Sequence, residues 1–271
     1  MNSNDEPLVT VLMPNYNNEK YLTEAIESIL NQNYSNFEFV IVDDCSKDNS
    51  LEIIKKFAIL DSRIKCYKND VNFGIVKTRN KLLGLVSENS KYIAIFDSDD
   101  ISTKNRLEKQ VSFLEKNLDF GIVGSNLVII DENSKIIGKR SYQFDVQKIK
   151  FIKSPFAQPS IMFRKNVISS MSYSNKFDVC EDYDLWFRIL SETNGKNLNF
   201  DGLKYRISST QEKSTNLKKT IKNTLLVKFK YLKFKHYFNF KIIFRVFLES
   251  FLLFLPNKAV LWLFVFMEIK K

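Results

Sequence analysis

A short apolar run that ends in a cluster of acids constrains the fold of this chain more than any other feature. Residues 92–96 are apolar or aromatic, and Asp97, Asp99 and Asp100 follow them directly. Such a run is typical of a strand buried on both faces of a parallel sheet, and ligands bind open α/β sheets at the carboxyl ends of these strands. Three neighbouring carboxylates repel one another unless a divalent cation with oxygen ligands compensates them. The run therefore predicts either a metal site for an anionic substrate or a solvated acidic turn that caps the next helix.

Strand and helix patterns alternate before this run. Strand-like runs are followed by helical spacing in three successive pairs, at 8–13 and 22–30, 37–42 and 51–60, and 64–67 and 76–86. The alternation predicts an α/β fold with a Rossmann-like, doubly wound, mostly parallel sheet and right-handed crossovers. Asn17 or Asn18 is expected to cap the first helix.

The same alternation brings separate polar segments to one edge of the sheet. Residues 14–17 and the pair Asp43-Asp44 end the first two strands, so they should lie beside the acids at 97–100. This convergence indicates a nucleotide site. No Gly-x-Gly-x-x-Gly motif or Gly-Lys-Ser/Thr loop follows the first strand. A nucleotide diphosphate would therefore need a metal ion and arginines.

Charge and cysteine content narrow the class of protein. The net charge of +10 comes from the end of the chain, where residues 217–271 hold 12 Lys+Arg and 2 Asp+Glu. The rest is neutral, so nucleic-acid binding is not expected. Three cysteines without a Cys-x-x-Cys spacing favour free thiols in a reducing compartment and no structural zinc. The apolar segment at 8–13 is too short for a signal-peptide core, so we expect a cytoplasmic protein.

Short motifs recur in a characteristic order and spacing. They are Val11–Asn17, Val42–Ser50, Asn72-Phe73-Gly74 with Arg79-Asn80, Asp97–Asp100, Arg106–Gln110, and Glu181-Asp182 before Leu185-Trp186. Together they resemble the inverting glycosyltransferases of family 2, which have the GT-A fold. The resemblance covers about residues 8–208. It implies a catalytic domain at 1–215 that transfers a sugar from a nucleotide diphosphate donor to an acceptor hydroxyl, with inversion at the anomeric carbon.

The resemblance also implies roles for residues on the donor side. Asp44, with Pro14 and Tyr16, matches the pocket for the donor base. Asp97 and Asp99 match the Asp-x-Asp motif that contacts the ribose and the Mn or Mg ion on the diphosphate, and Asp100 is a third candidate ligand. Such a metal ion neutralises charge on the departing nucleotide. For Asp44 the structural alternative is a turn aspartate that holds its own backbone, a role that better suits Asp43 or Asp48.

Asp182 matches the catalytic base of the family. It shares a helix face with Leu185, Trp186 and Ile189, so we expect its carboxylate on the inward, apolar side of the first helical turn. A neighbouring aromatic ring would raise its proton affinity, whereas the positive helix start opposes this. The alternative is a favourable charge at a helix start. Trp186 is either core or a platform for the acceptor sugar.

Two arginines are candidates for the diphosphate. A guanidinium group offers paired donors to phosphate oxygens, which suits Arg79 and Arg106, although both could instead be ordinary helix-surface charges. Gln158-Pro159-Ser160 matches a segment that borders the acceptor side in the family. The histidine that follows a Tyr-Arg pair in many relatives is absent here, where the chain has Tyr205-Arg206-Ile207-Ser208. Catalysis is not built on histidine, because the sole histidine lies in the tail.

Residues 216–271 form a basic, aromatic-rich tail that holds ten of the 24 phenylalanines. Ile221, Leu225, Phe229 and Leu232 recur at helical spacing among lysines, which predicts helices on an anionic membrane surface. The apolar segments at 242–255 and 259–267 each fall short of the about 20 residues that a membrane span needs. A helical lid on the catalytic domain and an oligomer contact are the alternatives.

These features predict an enzyme that takes a sugar nucleotide, with UDP as the expected nucleotide, from the cytoplasm. The expected acceptor is a lipid-linked glycan at the inner face of the cell membrane, in surface polysaccharide synthesis. A nucleotidyltransferase would use a similar acidic edge, but residues 14–18 lack the Gly-rich basic loop that it needs. A non-catalytic membrane-surface adaptor is the rival of another class.

Overall fold

Nine strands form one sheet within the residues that the computed structural model describes, which are 6–142, 145–168, 171–177, 179–208, 217–232 and 240–256. The strands are β1 (Val9–Asn15), β2 (Phe37–Asp43), β3 (Ile64–Lys68), β4 (Tyr92–Ile95), β5 (Ile101–Ser102), β6 (Phe120–Ile130), β7 (Ile136–Arg140), β8 (Met162–Arg164) and β9 (Asn194–Arg206). The helices are α1 (Glu19–Leu30), α2 (Ser50–Leu60), α3 (Ile75–Gly84), α4 (Arg106–Lys116), α5 (Val146–Ile149), α6 (Lys165–Ile168), α7 (Glu181–Glu192), α8 (Leu217–Leu232) and α9 (Phe240–Phe251).

The strand order is β3-β2-β1-β4-β8-β6-β9-β5, with β7 paired to β6. The first four strands are parallel, β8 runs antiparallel between β4 and β6, and β9 is parallel to β6. Strands β1, β2 and β4 are buried along their whole length because helices cover both faces of the sheet. The predicted α/β architecture of the GT-A type is confirmed.

Helix α1 starts by a different mechanism from the predicted one. It begins at Glu19, and neither preceding asparagine caps it through its side chain. Asn17 has a φ of +48°, and its Oδ1 accepts a hydrogen bond from Lys47 N at 2.7 Å. The main-chain amide of Glu19 instead donates to Asp48 Oδ2 at 3.0 Å. The cap therefore comes from the loop before α2, which sequence spacing does not reveal.

Of the helices in the predicted tail, α8 packs on α7, and α8 and α9 pack on each other. The rings of Phe187 in α7 and Tyr231 in α8 are stacked 4.5 Å apart. Asp184 Oδ1 accepts hydrogen bonds from Lys230 Nζ at 2.7 Å and from the Tyr231 hydroxyl at 3.1 Å. Helix α9 packs on α8 through the buried Val246. None of the helices in the described part of the chain is long and apolar enough to cross a membrane.

The predicted stripe on α8 is only partly correct. Ile221 and Leu225 are buried, but Phe229 is 49% exposed. Lys228 is buried, and its Nζ donates to Glu249 Oε2 in α9 and to a main-chain carbonyl. The buried positions of α8 differ from the predicted stripe because this helix packs against both α7 and α9. Lys233, Lys235, His236 and residues 259–267 lie outside the described residues.

Candidate active site

The carboxyl ends of β1, β2 and β4 meet at one edge of the sheet, as the parallel pairing requires. In the β1–β2 register Asn15 lies opposite Asp43, and Asn15 Nδ2 donates to Asp43 Oδ1 at 2.9 Å. Asp43 also accepts a hydrogen bond from Ser46 N at 2.9 Å, which is the turn role expected for it. Pro14 is buried beside this turn, whereas Tyr16 is half exposed.

Asp44 is buried and already holds a loop of the protein. Its Oδ1 accepts hydrogen bonds from Asn69 Nδ2 at 2.7 Å and from Phe73 N at 2.9 Å, and its Oδ2 accepts one from Gly74 N at 2.8 Å. Gly74 has a φ of +81°, which favours glycine at this turn into α3. Because a carboxylate has about four acceptor positions, Asp44 keeps capacity for a further donor.

The three acids after β4 lie in different environments. Asp97 and Asp99 are partly exposed, whereas Asp100 is buried. Arg206 N donates to Asp100 Oδ1 at 2.9 Å, and Asp100 Oδ2 is buried without a hydrogen-bond partner. Burial, and then the charges of Asp99 and Asp97, raise the pKa of Asp100 well above its usual range.

These carboxylates form a donor set that fits a hard divalent cation, but only in part. Asp97 and Asp99 supply the oxygen ligands that Mg and Mn prefer. The described part of the chain contains no group of three or more His, Cys, Asp or Glu side chains arranged to hold a metal ion. Mg sites commonly use one or two carboxylates together with substrate phosphates. Two carboxylates would therefore hold such a cation only with further oxygen ligands from a bound substrate.

Arg206 supports the acidic loop from inside the protein. Its side chain is buried, and its Nε donates to the main-chain carbonyl of Asp99 at 2.8 Å. Its Nη1 donates to Asp131 O at 3.0 Å, and its Nη2 to Glu24 Oε2 at 2.8 Å. In this chain an arginine at the end of β9 thus ties three segments together. This role could not be predicted from the sequence, because no local pattern distinguishes a buried arginine from an exposed one.

Asp182 lies in the first turn of α7 and is half-buried. Its Oδ1 accepts a hydrogen bond from Tyr183 N at 2.7 Å. Leu185, Trp186 and Ile189, on the same side of the helix, are fully buried. Trp186 packs edge-on against Phe156 at 5.9 Å, so it belongs to the core and is no platform for a sugar.

Arg79 connects the two halves of the site. Its Nη2 donates to Asp97 Oδ1 at 3.2 Å, and its Nη1 donates to Glu181 Oε1. Although burial opposes this, the charges of Asp97, Glu181 and Asp182 raise the pKa of Arg79. Asp182 directly follows Glu181, the residue that Arg79 joins to the Asp-x-Asp motif. Arg79 is no ordinary surface charge, and its pairing with Glu181 is a contact that the sequence analysis missed.

Arg106 does not have the position that the sequence predicts for a diphosphate ligand. Its side chain is fully buried, and its Nη2 donates to the main-chain carbonyls of Ile95 at 2.8 Å and Ile161 at 3.0 Å. Burial lowers the pKa of Arg106 to about 9. The predicted contact with a diphosphate is wrong, because the first turn of α4 lies beneath β4 and β8 and directs this guanidinium group to their main chain.

Comparisons with known proteins identify the family of this chain. The sequence profile of Glycosyl transferase family 2 matches residues 10–171. The chain belongs to glycosyl transferase family 2.

Relatives match this family 2 chain over most of its length. An uncharacterised glycosyltransferase of Methanocaldococcus jannaschii is 35% identical over 93% of this chain and 89% of its own length. A second relative, from Escherichia coli, is 34% identical over 79% of this chain and 83% of its own length. Its name is UDP-Glc:alpha-D-GlcNAc-diphosphoundecaprenol beta-1,3-glucosyltransferase WfgD.

A solved structure supports the fold assignment. The mannosyltransferase PcManGT of Pyrobaculum calidifontis, in complex with GDP-Man and Mn²⁺, is similar with a TM-score of 0.67. The likeness covers 99% of this glycosyltransferase and 82% of the other chain at 13% sequence identity. At this identity it shows the fold alone.

Proposed function

We propose that this glycosyltransferase transfers a sugar from a UDP-sugar to an acceptor hydroxyl with inversion, and that Asp182 is the catalytic base. The observation that carries the proposal is the pairing of Arg79 with both Asp97 and Glu181, the residue before Asp182. One guanidinium group thus joins the Asp-x-Asp motif to the first turn of α7. This supports a single cavity bordered by donor carboxylates on one side and the base on the other.

The donor base is proposed to bind at the ends of β1 and β2. Asp44 accepts a hydrogen bond from the base with its remaining acceptor capacity, and Pro14 and Tyr16 line the pocket. The name of the Escherichia coli relative includes UDP-Glc, which supports UDP as the nucleotide. The diphosphate then extends along the sheet edge toward the acids after β4.

Asp97 and Asp99 are proposed to hold a Mn or Mg ion together with the diphosphate. Their oxygen donors, the buried unpartnered Asp100 Oδ2 beside them, and the Mn²⁺ of the solved neighbour support this. When bound, the metal ion neutralises negative charge on the departing nucleoside diphosphate. Arg206 binds the main chain of Asp99 and so holds this loop in place.

Asp182 is proposed to take the proton of the acceptor hydroxyl as its oxygen attacks the anomeric carbon. The new glycosidic bond forms on the face of the anomeric carbon opposite the diphosphate. The bond between the anomeric carbon and the diphosphate breaks, and UDP leaves. Partial exposure keeps the carboxylate accessible to an acceptor, and the hydrogen bond from Tyr183 N fixes one of its oxygens. A carboxylate held in this way acts as a general base when an acceptor hydroxyl binds within hydrogen-bond distance of it.

The acceptor is proposed to be a lipid-linked glycan of surface polysaccharide synthesis, reached at the inner face of the cell membrane. The name of the relative WfgD, which includes GlcNAc-diphosphoundecaprenol, supports such an acceptor. The basic tail supports attraction to an anionic surface, and α9 exposes large apolar side chains suited to an interface. These are Phe240, Phe244, Phe247, Leu248 and Phe251, with Phe254 just after the helix.

The proposal is tested by incubating the purified protein with a panel of sugar nucleotides, Mn²⁺ and a GlcNAc-diphosphate lipid. We expect free UDP and an extended lipid, and we expect Asp182→Asn to lower the rate by about 10²- to 10⁴-fold because the base is lost. Asp119→Asn, at an exposed position after α4, is the matched control and keeps full activity. Release of pyrophosphate would instead indicate a nucleotidyltransferase, and no turnover with any donor would favour an adaptor.

A further inference from the structure

Two consecutive residues of α3 attach this helix to the region that leads into α7. Asn80 Nδ2 donates to the main-chain carbonyl of Tyr173 at 2.9 Å, and Tyr173 N donates back to Asn80 Oδ1 at 2.7 Å. Arg79 Nη1 donates to Glu181 Oε1 at the first residue of α7. The segment that presents Asp182 is therefore held from α3 at two separate points.

Arg79 extends this attachment to the donor side. Its side chain is 10% exposed, that of Glu181 is 6% exposed and that of Asp97 is 24% exposed. A planar guanidinium group presents its donors in a fixed geometry, so the two carboxylates that it binds are held at a set separation. Removing one partner from a buried ion pair leaves an uncompensated charge and is strongly unfavourable. The three side chains therefore act as one unit.

The surroundings of Arg79 argue against a second role as a phosphate ligand. The guanidinium carbon lies 5.8 Å from the centre of the Tyr173 ring, and the Tyr173 hydroxyl accepts a hydrogen bond from Gln158 Nε2 at 2.8 Å. Both terminal nitrogens of Arg79 already donate to carboxylates. Arg79 Nε is buried without a hydrogen-bond partner, and the whole side chain is only 10% exposed, so the guanidinium group offers little accessible surface to a diphosphate.

We propose that Arg79 and Glu181 are positioning residues that set the distance between the donor carboxylate Asp97 and the base Asp182, and that Arg79 does not bind the diphosphate. This inference rests on the proposed function. It follows that the rate of transfer, and not the affinity for the nucleotide, depends on the pairing of Arg79 with Glu181.

The test compares Glu181→Gln, Arg79→Lys, Arg79→Met and the double variant Arg79→Met/Glu181→Gln. For both Glu181→Gln and Arg79→Met we expect kcat to fall by about tenfold or more, with the Kd for UDP in Mn²⁺ changed by less than about threefold. The double variant should be no slower than the slower single variant, because the two residues act as a unit. The kcat of Arg79→Lys should lie between those of wild type and Arg79→Met, since an ammonium group keeps the charge but not the fixed pair of donors.

Arg63→Met is the matched control, because Arg63 also pairs with a carboxylate, Asp61 at 2.7 Å, but in the turn between α2 and β3. It should keep the wild-type kcat.

Two results would overturn the inference. The first is a loss of UDP affinity of about tenfold or more in Arg79→Met and Arg79→Lys, with kcat preserved in Glu181→Gln. The second is a double variant in which the losses in kcat of the two single variants multiply. If a methionine variant does not unfold cooperatively, Arg79→Lys and Glu181→Gln decide the question. A wild-type chain that neither binds UDP nor transfers sugar would overturn the proposed function and this inference together.

Discussion

At the scale of single residues, burial and hydrogen bonding give different roles to aspartates that look alike in the sequence. Asp43 and Asp44 are adjacent, yet Asp43 holds the turn after β2 whereas Asp44 binds the loop before α3. After β4, Asp97 pairs with Arg79, and Asp100 points into the protein. The chemistry of each carboxylate depends on which donors reach it, and most of these donors are distant in the chain.

Asp44→Ala tests the structural part of the role of Asp44. The substitution leaves the Phe73 amide without its acceptor and takes one of two acceptors from Asn69 Nδ2 and from the Gly74 amide, so we expect the free energy of unfolding to fall by about 1–3 kcal/mol. UDP affinity should fall as well, because the loop before α3 and the donor pocket share this carboxylate. Urea unfolding and UDP titration measure the two effects. Asp70→Ala, at an exposed position in the same region, is the control. An Asp44→Ala protein as stable as the control would contradict the assignment.

At the scale of secondary structure elements, buried polar links decide how strands and helices are joined. Glu38 in β2 accepts hydrogen bonds from Thr10 in β1 at 2.5 Å, from Ser87 N at 3.0 Å, and from Lys65 in β3. Helix α8 docks on α7 in a similar way, through the buried carboxylate of Asp184. Glu38 thus joins three strands and Asp184 joins two helices through directional hydrogen bonds, which fix the relative position of these elements more closely than apolar packing does.

The environment of Glu38 predicts how the free energy of unfolding depends on pH. Burial opposes ionisation, but the hydrogen bonds from Lys65, Thr10 and Ser87 outweigh it and lower the pKa of Glu38. A carboxylate with a lowered pKa in the folded state stabilises the protein above its unfolded-state pKa, and this contribution is lost as the pH falls through the folded-state pKa. The stability difference between wild type and Glu38→Gln should therefore be largest near neutral pH and shrink below about pH 4.

Urea unfolding at a series of pH values measures this difference. The control is Glu27→Gln, at an exposed position of α1, for which the difference from wild type should stay small at every pH. If the Glu38→Gln difference grew as the pH fell, Glu38 would have a raised pKa and the network would be misassigned.

At the scale of the whole molecule, charge and apolar surface are distributed unevenly. Residues 217–271 carry the net positive charge, and α9 turns phenylalanines outward on the side opposite the buried Val246. Contiguous exposed apolar surface marks sites of interaction with proteins or membranes. Because α8 packs on α7, a membrane bound at this surface would lie at a fixed distance from the helix that presents Asp182.

The membrane proposal predicts binding of the full chain to vesicles that contain anionic lipid. We expect Phe247→Ser/Phe251→Ser to weaken this binding by about tenfold or more, since two exposed aromatic rings no longer enter the lipid interface. Vesicle sedimentation at low salt measures it. Leu118→Ser, at a side chain that is 77% exposed after α4, is the matched control and should bind like wild type. Equal binding by both variants would contradict the proposal, and loss of a dimer in the phenylalanine variant would identify an oligomer contact instead.

The sequence by itself determined the strand–helix alternation, the edge of the sheet at which the acids meet, and the family. These features are readable because they depend on local periodicity and on short motifs: β4 is an apolar run that must be buried, and Asp97 to Asp100 must follow it to the edge. The buried face of α7, with Leu185 and Trp186, was readable for the same reason.

Only the tertiary structure decided what the polar side chains do. Arg79 and Arg106 both begin as candidate phosphate ligands, but one pairs with a carboxylate 102 residues away and the other binds main-chain carbonyls beneath two strands. Asp44 likewise takes its partners from a loop that follows 25 or more residues later. Hydrogen bonds and ion pairs are short-ranged in space and indifferent to separation along the chain, so their partners exist only once the sheet has brought distant segments together.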